Sequence, residues 1–351
     1  MRECRIVGRP IATEIPQEET VSIPTSHLTR RDVTRGLVHA GIGGAAIAAG
    51  IGPAAAQTIT VTHYTDGLPG APYVFAWEEN LFEKSGFKLA AIQTSSGGGT
   101  TIRNMMASDF PYGQVSLSSA LEARRSGIDL TIVHSCTSTV GDFSVVTMPD
   151  APIKEPRDLI GKRIGYTNPA SLTHMTMLAF LDKVGISPSQ VTMQAAGGIG
   201  AQLTALRSGK LDTAIITEPF TARERGKLRE AFEIAKYIPE RIQADVGVVK
   251  SDFAKSHRNE LKSIIAARRK AVETMYQDPA RTAAVINKVY KQNPAVIEEG
   301  TKRLIAIRFW DEGPLDMAAM DRSVAAMKKV GIDVGFLKGW DGIVDTSYLT
   351  S

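Results

Sequence analysis

The sequence predicts an α/β fold arranged as two similar lobes, and three observations carry that reading. Short β-branched runs alternate with amphipathic stretches, which is the pattern of a sheet covered by helices rather than of a sandwich or a bundle. Two segments about a hundred residues apart repeat the order glycine-rich loop, short helix, buried strand. The chain has 351 residues, and at roughly 150 residues per domain-sized unit that length suits two lobes.

Residues 1–56 are expected to be an export signal and not part of the fold. Residues 36–56 lack Asp, Glu, Lys and Arg, a length that suits a membrane span, but they are rich in Gly and Ala and make a weak anchor. Before them stand Arg30-Arg31 and Arg35, and after them Ala54-Ala55-Ala56. A basic start, a mildly apolar middle and small residues at the end resemble a twin-arginine signal cut after Ala56. Val33 and Thr34 depart from the Phe and Leu usual in such signals, so Sec export stays open.

Beyond the leader, strands are expected over 58–64, 87–93, 112–117, 130–135, 143–148, 163–166, 191–194, 211–216 and 244–249, each a short run rich in β-branched or aromatic residues. Helices fill the intervals. Leu172, Met175, Leu178, Leu181 and Val184 form one apolar stripe, with Gly185 as its stop. From about Ser251 the strand pattern ends and helical patterns continue, broken at Asp278-Pro279, Asn293-Pro294 and Gly313-Pro314.

The repeat pairs Gly98-Gly99-Thr100-Thr101-Ile102-Arg103, ahead of a strand ending Val115-Ser116-Leu117-Ser118, with Gly198-Ile199-Gly200-Ala201-Gln202-Leu203, ahead of Ala214-Ile215-Ile216-Thr217. Ligands of open α/β sheets bind at the carboxyl ends of strands. Two such edges facing each other make a cleft.

Composition excludes several functions. With 43% hydrophobic and 22% charged residues and a net charge of +4, nothing indicates nucleic acid or disorder. Two cysteines, Cys4 and Cys136, build no disulfide framework; Cys136, in an apolar run, reads as buried. Walker A, G-x-G-x-x-G, H-E-x-x-H, G-x-S-x-G and C-x-x-C motifs are absent. His63, His134, His174 and His257 are scattered, so no metal site and no cofactor is expected. Glu78-Glu79, Glu298-Glu299 and the basic clusters Arg124-Arg125, Arg268-Arg269-Lys270 and Lys328-Lys329 read as solvated helix faces.

Four loops rich in Gly and hydroxyl residues remain: 66–73, 94–100, 116–119 and 167–173, the last with Ser171 as a candidate N-cap. Backbone N–H groups at helix starts hold anionic groups without any Lys or Arg.

Gly67-Leu68-Pro69, Phe75-Ala76-Trp77-Glu78-Glu79-Asn80, Asp158-Leu159-Ile160-Gly161-Lys162-Arg163-Ile164-Gly165 and Gly209-Lys210-Leu211-Asp212-Thr213-Ala214 with Glu218-Pro219 resemble the substrate-binding proteins of ABC importers for sulfonates, nitrate, taurine and thiamin-pyrimidine precursors. The resemblance implies a type II periplasmic-binding fold, two α/β lobes joined by two crossover strands with a ligand cleft between them. Lobe I would comprise 57–145 plus 249–351 and lobe II 146–248. Carried over by position, ligand contacts come from Gly67, Leu68, Tyr73, Ser96, Gly97, Gly98, Thr100, Ser118, Ser119, Asn168, Ser171, Thr173 and Glu218. Tyr73, Trp77, His174 and Glu218 point to a small organic molecule, and a buried Glu218 carboxylate needs a ligand donor or a paired base. Arg103 reads as a surface residue, with recognition of a sulfonate or carboxylate as the other reading. The triple glycine at 97–99 and Phe110-Pro111-Tyr112-Gly113 depart from the family pattern, so the ligand is not inherited.

The implied function is non-catalytic: a monomeric periplasmic carrier that binds a small molecule or anion (sulfonate, carboxylate or pyrimidine-like) and delivers it to a membrane permease and ATPase. A ligand-sensing subunit is the alternative. An enzyme of the pyrimidine-synthesising type is disfavoured, because those relatives carry a histidine and cysteine cluster that this chain lacks.

Overall fold

A computed structural model describes residues 57–62, 67–95 and 97–349. The expected export leader, His63 and Ser96 lie outside the described residues. The first half runs β1 (Gln57–Thr62), α1 (Ala71–Glu78), α2 (Leu81–Lys84), β2 (Leu89–Ser95), α3 (Gly98–Met106), β3 (Tyr112–Ser116), α4 (Leu117–Arg125) and β4 (Leu130–Thr137). There follow β5 (Ser144–Thr147), β6 (Arg163–Tyr166), α5 (Leu172–Lys183), β7 (Thr192–Ala195), α6 (Ile199–Arg207), β8 (Thr213–Ile216), α7 (Phe220–Glu224) and β9 (Arg229–Glu233). The last part holds β10 (Asp245–Lys250), α8 (Ser251–Ser256), α9 (Arg258–Gln277), α10 (Pro279–Tyr290), α11 (Pro294–Ala306) and α12 (Met317–Lys329). Among the described residues no helix is long and apolar enough to cross a membrane.

The strands form two sheets of the same plan, ordered β2-β1-β3-β10-β4 and β7-β6-β8-β5-β9. In each, three parallel strands lead, and the fourth strand runs antiparallel to both its neighbours: β10 in the first, β5 in the second. The chain therefore passes between sheets after β4 and returns after β9. The repeat seen in sequence has a topological meaning, since α3–β3 and α6–β8 hold equivalent places, with β3 and β8 third in their sheets. The lobe boundaries expected at 145/146 and 248/249 fall inside β5 and β10. Each is an apolar run that reads alike on either side of the crossing, and pairing alone assigns it to a sheet.

Alternation at period two buries both faces of each sheet. Tyr112, Val133 and Val249 join a core with Tyr73, Phe75, Leu261 and Ile286, whereas Val115, Ile132, Val246 and Val248 join another with Met320 and Met327. In the second sheet Val145, Ile164 and Ile215 face Phe180 and Leu181, and Val146, Ala214 and Ile216 face Leu203 and Leu206. The helices after β10 cover the first sheet, α9 lying on α1 and α2. Their breaks are capped starts: Asp278 accepts from Arg281 N–H at 3.0 Å and Asn293 from Ala295 N–H at 3.0 Å, each followed by proline at the first helical position.

Three expectations need correction. β9 had no strand signal, because Arg229, Glu230 and Glu233 make it read as polar surface. Residues 68–73 are not a loop: a 3-10 turn, Leu68–Gly70, runs straight into α1, with Pro69 and Pro72 at helix starts. Arg268 is not solvated but 1% exposed, donating to Asp311 O at 2.6 Å and Cys136 O at 2.8 Å beneath the Tyr73 ring. Its face of α9 is turned to the core, so carbonyl oxygens replace water around the guanidinium.

Candidate functional site

A cavity of about 60 Å³ lies where the carboxyl ends of the two sheets meet. The first sheet contributes Thr62 at the end of β1, Gln114 and Ser116 of β3, Asp245 of β10, the turn residues Gly67 and Pro69, and Gly97 and Gly98 at the start of α3. The second contributes Thr167 after β6, Ser171, Leu172 and Thr173 at the start of α5, Ile199 at the start of α6, Thr217 after β8, and Phe143 from the crossing. The correspondence is position by position: Thr62 with Thr167, Gly98 with Ile199, Ser116 with Thr217.

The hydroxyls are held by short local bonds. Thr62 Oγ1 donates to Gln114 O at 2.8 Å and lies 2.7 Å from Thr101 Oγ1. Ser116 caps α4, accepting from Ser119 N–H at 3.2 Å, and its own hydroxyl donates to Ser119 Oγ at 2.8 Å. Ser171 caps α5, accepting from His174 N–H at 3.3 Å, and lies 3.0 Å from Thr173 Oγ1, which accepts from Thr167 N–H at 2.9 Å. Thr217 Oγ1 donates to Asp142, a carboxyl that burial pushes up to about 7. The starts of α3 and α6 have glycine caps with no side-chain acceptor, leaving backbone N–H groups for other partners.

Two glycines are required by close approach. Gly97 has φ +95°, and a Cβ there would lie 2.4 Å from Asn168 Nδ2 of the facing sheet. A Cβ on Gly98 would lie 2.1 Å from Ser119 Oγ. Ser119 Oγ also lies 3.4 Å from Ala170 O, so the two edges nearly touch beside the cavity.

Of the residues expected to contact a ligand, the structure brings Gly67, Gly97, Gly98, Ser171 and Thr173 to the lining, with Ser119 and Asn168 immediately beside it. Ser118 borders a smaller apolar cavity of about 30 Å³ next to Leu172, Met175 and Met327. Thr100 sits outside the lining and accepts from the exposed Arg103 at 3.1 Å.

Three residues are placed elsewhere. Leu68 is wholly buried in the first core, its N–H donating to Glu218 O at 3.2 Å and its O accepting from Trp310 Nε1 at 2.9 Å. Tyr73, on the core face of α1, bonds Tyr112 Oη at 2.8 Å, and burial raises its phenol well above the ordinary range. Glu218 is 0% exposed and paired with Arg303 Nη1 at 3.0 Å. Burial raises its carboxyl and Arg303 opposes that shift, so the base that sequence reasoning demanded comes from α11 and not from a ligand. Trp77 packs on the first core, and the His174 ring stacks on Tyr166 at 4.3 Å with burial lowering its pKa.

Thr62, Gln114, Phe143, Ile199 and Asp245 were missed as lining residues. Ile199 lies in the second copy of the repeat, where the sequence pairs it with Gly99, and the structure matches it with Gly98 as the first residue of its helix. Nothing local marks Asp245, which reaches the cavity because the returning strand pairs with β3. Among the described residues no cluster of His, Cys, Asp or Glu is placed for a metal, and Cys136 is buried outside the lining, its thiol pushed up to about 12 by burial.

A family model described as NMT1/THI5 like matches residues 70–282. A comparison with curated proteins found no match. Among solved structures, the alkanesulfonate-binding protein SsuA from Xanthomonas axonopodis pv. citri, bound to MOPS, superposes with a TM-score of 0.67 at 18% identity, over 78% of this chain and 92% of that one. The periplasmic nitrate-binding protein NrtA from Synechocystis PCC 6803 gives 0.63 at 11% identity, over 84% and 86%. The desulfurization enzyme DSZB gives 0.56 at 14%, over 78% and 92%. At such identities these likenesses establish the periplasmic-binding fold of two α/β lobes.

Proposed function

Because this chain belongs to the NMT1/THI5-like family, we propose that it is the extracytoplasmic substrate-binding component of an ABC importer, clamping a small organic molecule or anion between its lobes and presenting it to a membrane permease and ATPase. The observation that carries the reading is the cavity lined by matching strand and helix ends of both sheets. A ligand there touches Thr62, Gly98 and Ser116 on one side and Ser171, Thr173 and Thr217 on the other. Contacts available only when both sides are near favour the closed arrangement. At a net ~0.5–1.5 kcal/mol per hydrogen bond, several contacts and the exclusion of water suffice for useful affinity.

The same lining argues for binding rather than catalysis. Among the described residues it holds no cysteine, histidine, lysine or arginine, and Thr62 and Ser116 donate their protons to Gln114 O and Ser119 Oγ rather than to a base that would activate them. The lobes we assign are 57–137 with 245–349, and 144–238. Export with cleavage after Ala56 and action as a monomer belong to this reading.

The test is a thermal-shift screen of the purified protein against sulfonates, carboxylates, amino acids, amidines and pyrimidines, with small-angle scattering on each hit. A hit that raises Tm and shrinks the radius of gyration is expected. Hits that leave the radius unchanged, or no hit at all, refute clamping. Permease and ATPase genes beside its own support import over the sensing alternative.

A further inference from the structure

We propose, resting on that binding reading, that α11 is a latch between the lobes. Its Arg303 pairs with the buried Glu218 of the opposite lobe only when the lobes meet, so the protein itself supplies part of the drive to close, for every ligand alike. α11 belongs to the first lobe by its core, where Ile297 and Leu304 pack with Ile59 and Tyr73. Its other face meets α7 of the second lobe. Glu299, Arg303 and the C-cap Ile307 follow one another on that face at one-turn spacing. Ile307 reaches the crossing, where a Cβ on Gly141 would lie 3.3 Å from its Cδ1. Arg303 stands one turn farther out, on Glu218 at 3.0 Å and Glu230 at 3.3 Å, and Glu299 one turn beyond, paired with Arg225. In a hinge motion, contacts farther from the pivot part more widely, so these ion pairs belong to the closed arrangement.

The Glu218 site is built for the pair. Glu218 is 0% exposed with both carboxylate oxygens occupied, Oε1 by Arg303 Nη1 and Oε2 by Ala222 N–H at 3.2 Å. Gly300, which weakens the interior of α11, makes room for it: a Cβ there would lie 3.2 Å from Glu218 Oε2. Arg303 keeps 25% exposure and shares Glu230, so its charge is only partly desolvated. Leu68 N–H donates to Glu218 O at 3.2 Å across the same seam. Leu68 stands between the lining residues Gly67 and Pro69, and Glu218 follows the lining residue Thr217, which joins the latch to the cavity wall. The opposite flank is looser. Between α5 and α12 the pair of Lys329 with Asp182, 66% and 30% exposed, borders cavities of about 310 Å³ and 400 Å³.

The test needs no ligand. Spin labels on Lys227→Cys and Lys302→Cys, exposed positions on either side of the seam, report the distance between the lobes by electron–electron double resonance. The full chain carries Cys4→Ser, and the remaining thiol, Cys136, is buried. This background protein is expected to show a short-distance population beside a longer one. Arg303→Met should reduce the short population about tenfold or more, and so should Glu218→Gln combined with Arg303→Met, in which no unpaired charge is buried. Lys329→Met, on the opposite flank, should leave it unchanged. Circular dichroism checks folding, and the double variant decides should Arg303→Met not fold. Loss of fold in both overturns the latch, because lobes that part freely do not depend on the seam. A short population that is absent from the background protein, retained in either folded variant, or reduced equally by Lys329→Met overturns it too. Each of these outcomes leaves the binding role standing, which fails separately when the thermal-shift screen gives no hit.

Discussion

Replacing Asp142 by Asn removes a titration that the fold displaces from 3.8 to about 7. Asp142 is 1% exposed; Thr217 donates to one carboxyl oxygen, and the other has no partner. Burial therefore favours the neutral acid. Between about pH 4 and pH 7 the folded protein keeps a proton that the unfolded chain has released, so Asp142 lowers stability as pH rises through that window. Below it both states are protonated and the cost vanishes; above it the cost is complete. A displacement of this size corresponds to about 4 kcal/mol. His134, held neutral down to about 3 by burial, acts in the opposite direction, since the unfolded chain protonates it near 6.5. It is common to both proteins and cancels in their difference. Urea unfolding of wild-type and Asp142→Asn protein, followed by tryptophan fluorescence from about pH 4 to pH 8, is expected to show the variant gaining relative stability by a few kcal/mol. A difference that stays flat across the window refutes the reasoning, because it means that the carboxyl titrates in the folded state as it does in water.

Two further substitutions separate structural roles from binding. Glu218→Ala leaves Arg303, 25% exposed, without its buried partner, and should cost about 3 kcal/mol in denaturant unfolding while leaving the order of ligand preference unchanged. Ser171→Ala removes the α5 cap at the cavity wall, so unfolding should register a loss of about 1 kcal/mol alongside weaker ligand binding. No loss of stability would mean that the cap is not formed.

Much of the fold was legible because its signals are local. The alternation that buries Val145 and Val146 on opposite faces, the stripe of α5 with its stop at Gly185, and the Asp278-Pro279 and Asn293-Pro294 starts are all readable within a few residues. The candidate site was legible where it consists of glycine and hydroxyl residues at helix starts, as at Gly97, Gly98, Ser171 and Thr173. It was misread where a side chain's direction depends on a distant element. Tyr73 turns into the core because α9 covers α1, and Glu218 meets a base 85 positions along the chain.

Sequence alone established the α/β class, the two-lobed repeat, the absence of metal-binding and nucleotide-binding motifs, and the family resemblance, since each is written in residue types and short spacings. Which strand crosses into which sheet, that Arg268 is a core residue, and that Asp245 and Gln114 line the cavity emerged from the folded chain. The reason is physical: pairing register and burial are long-range properties, and β10 brings Asp245 opposite Ser116, 129 positions earlier, through a ladder that no local pattern encodes.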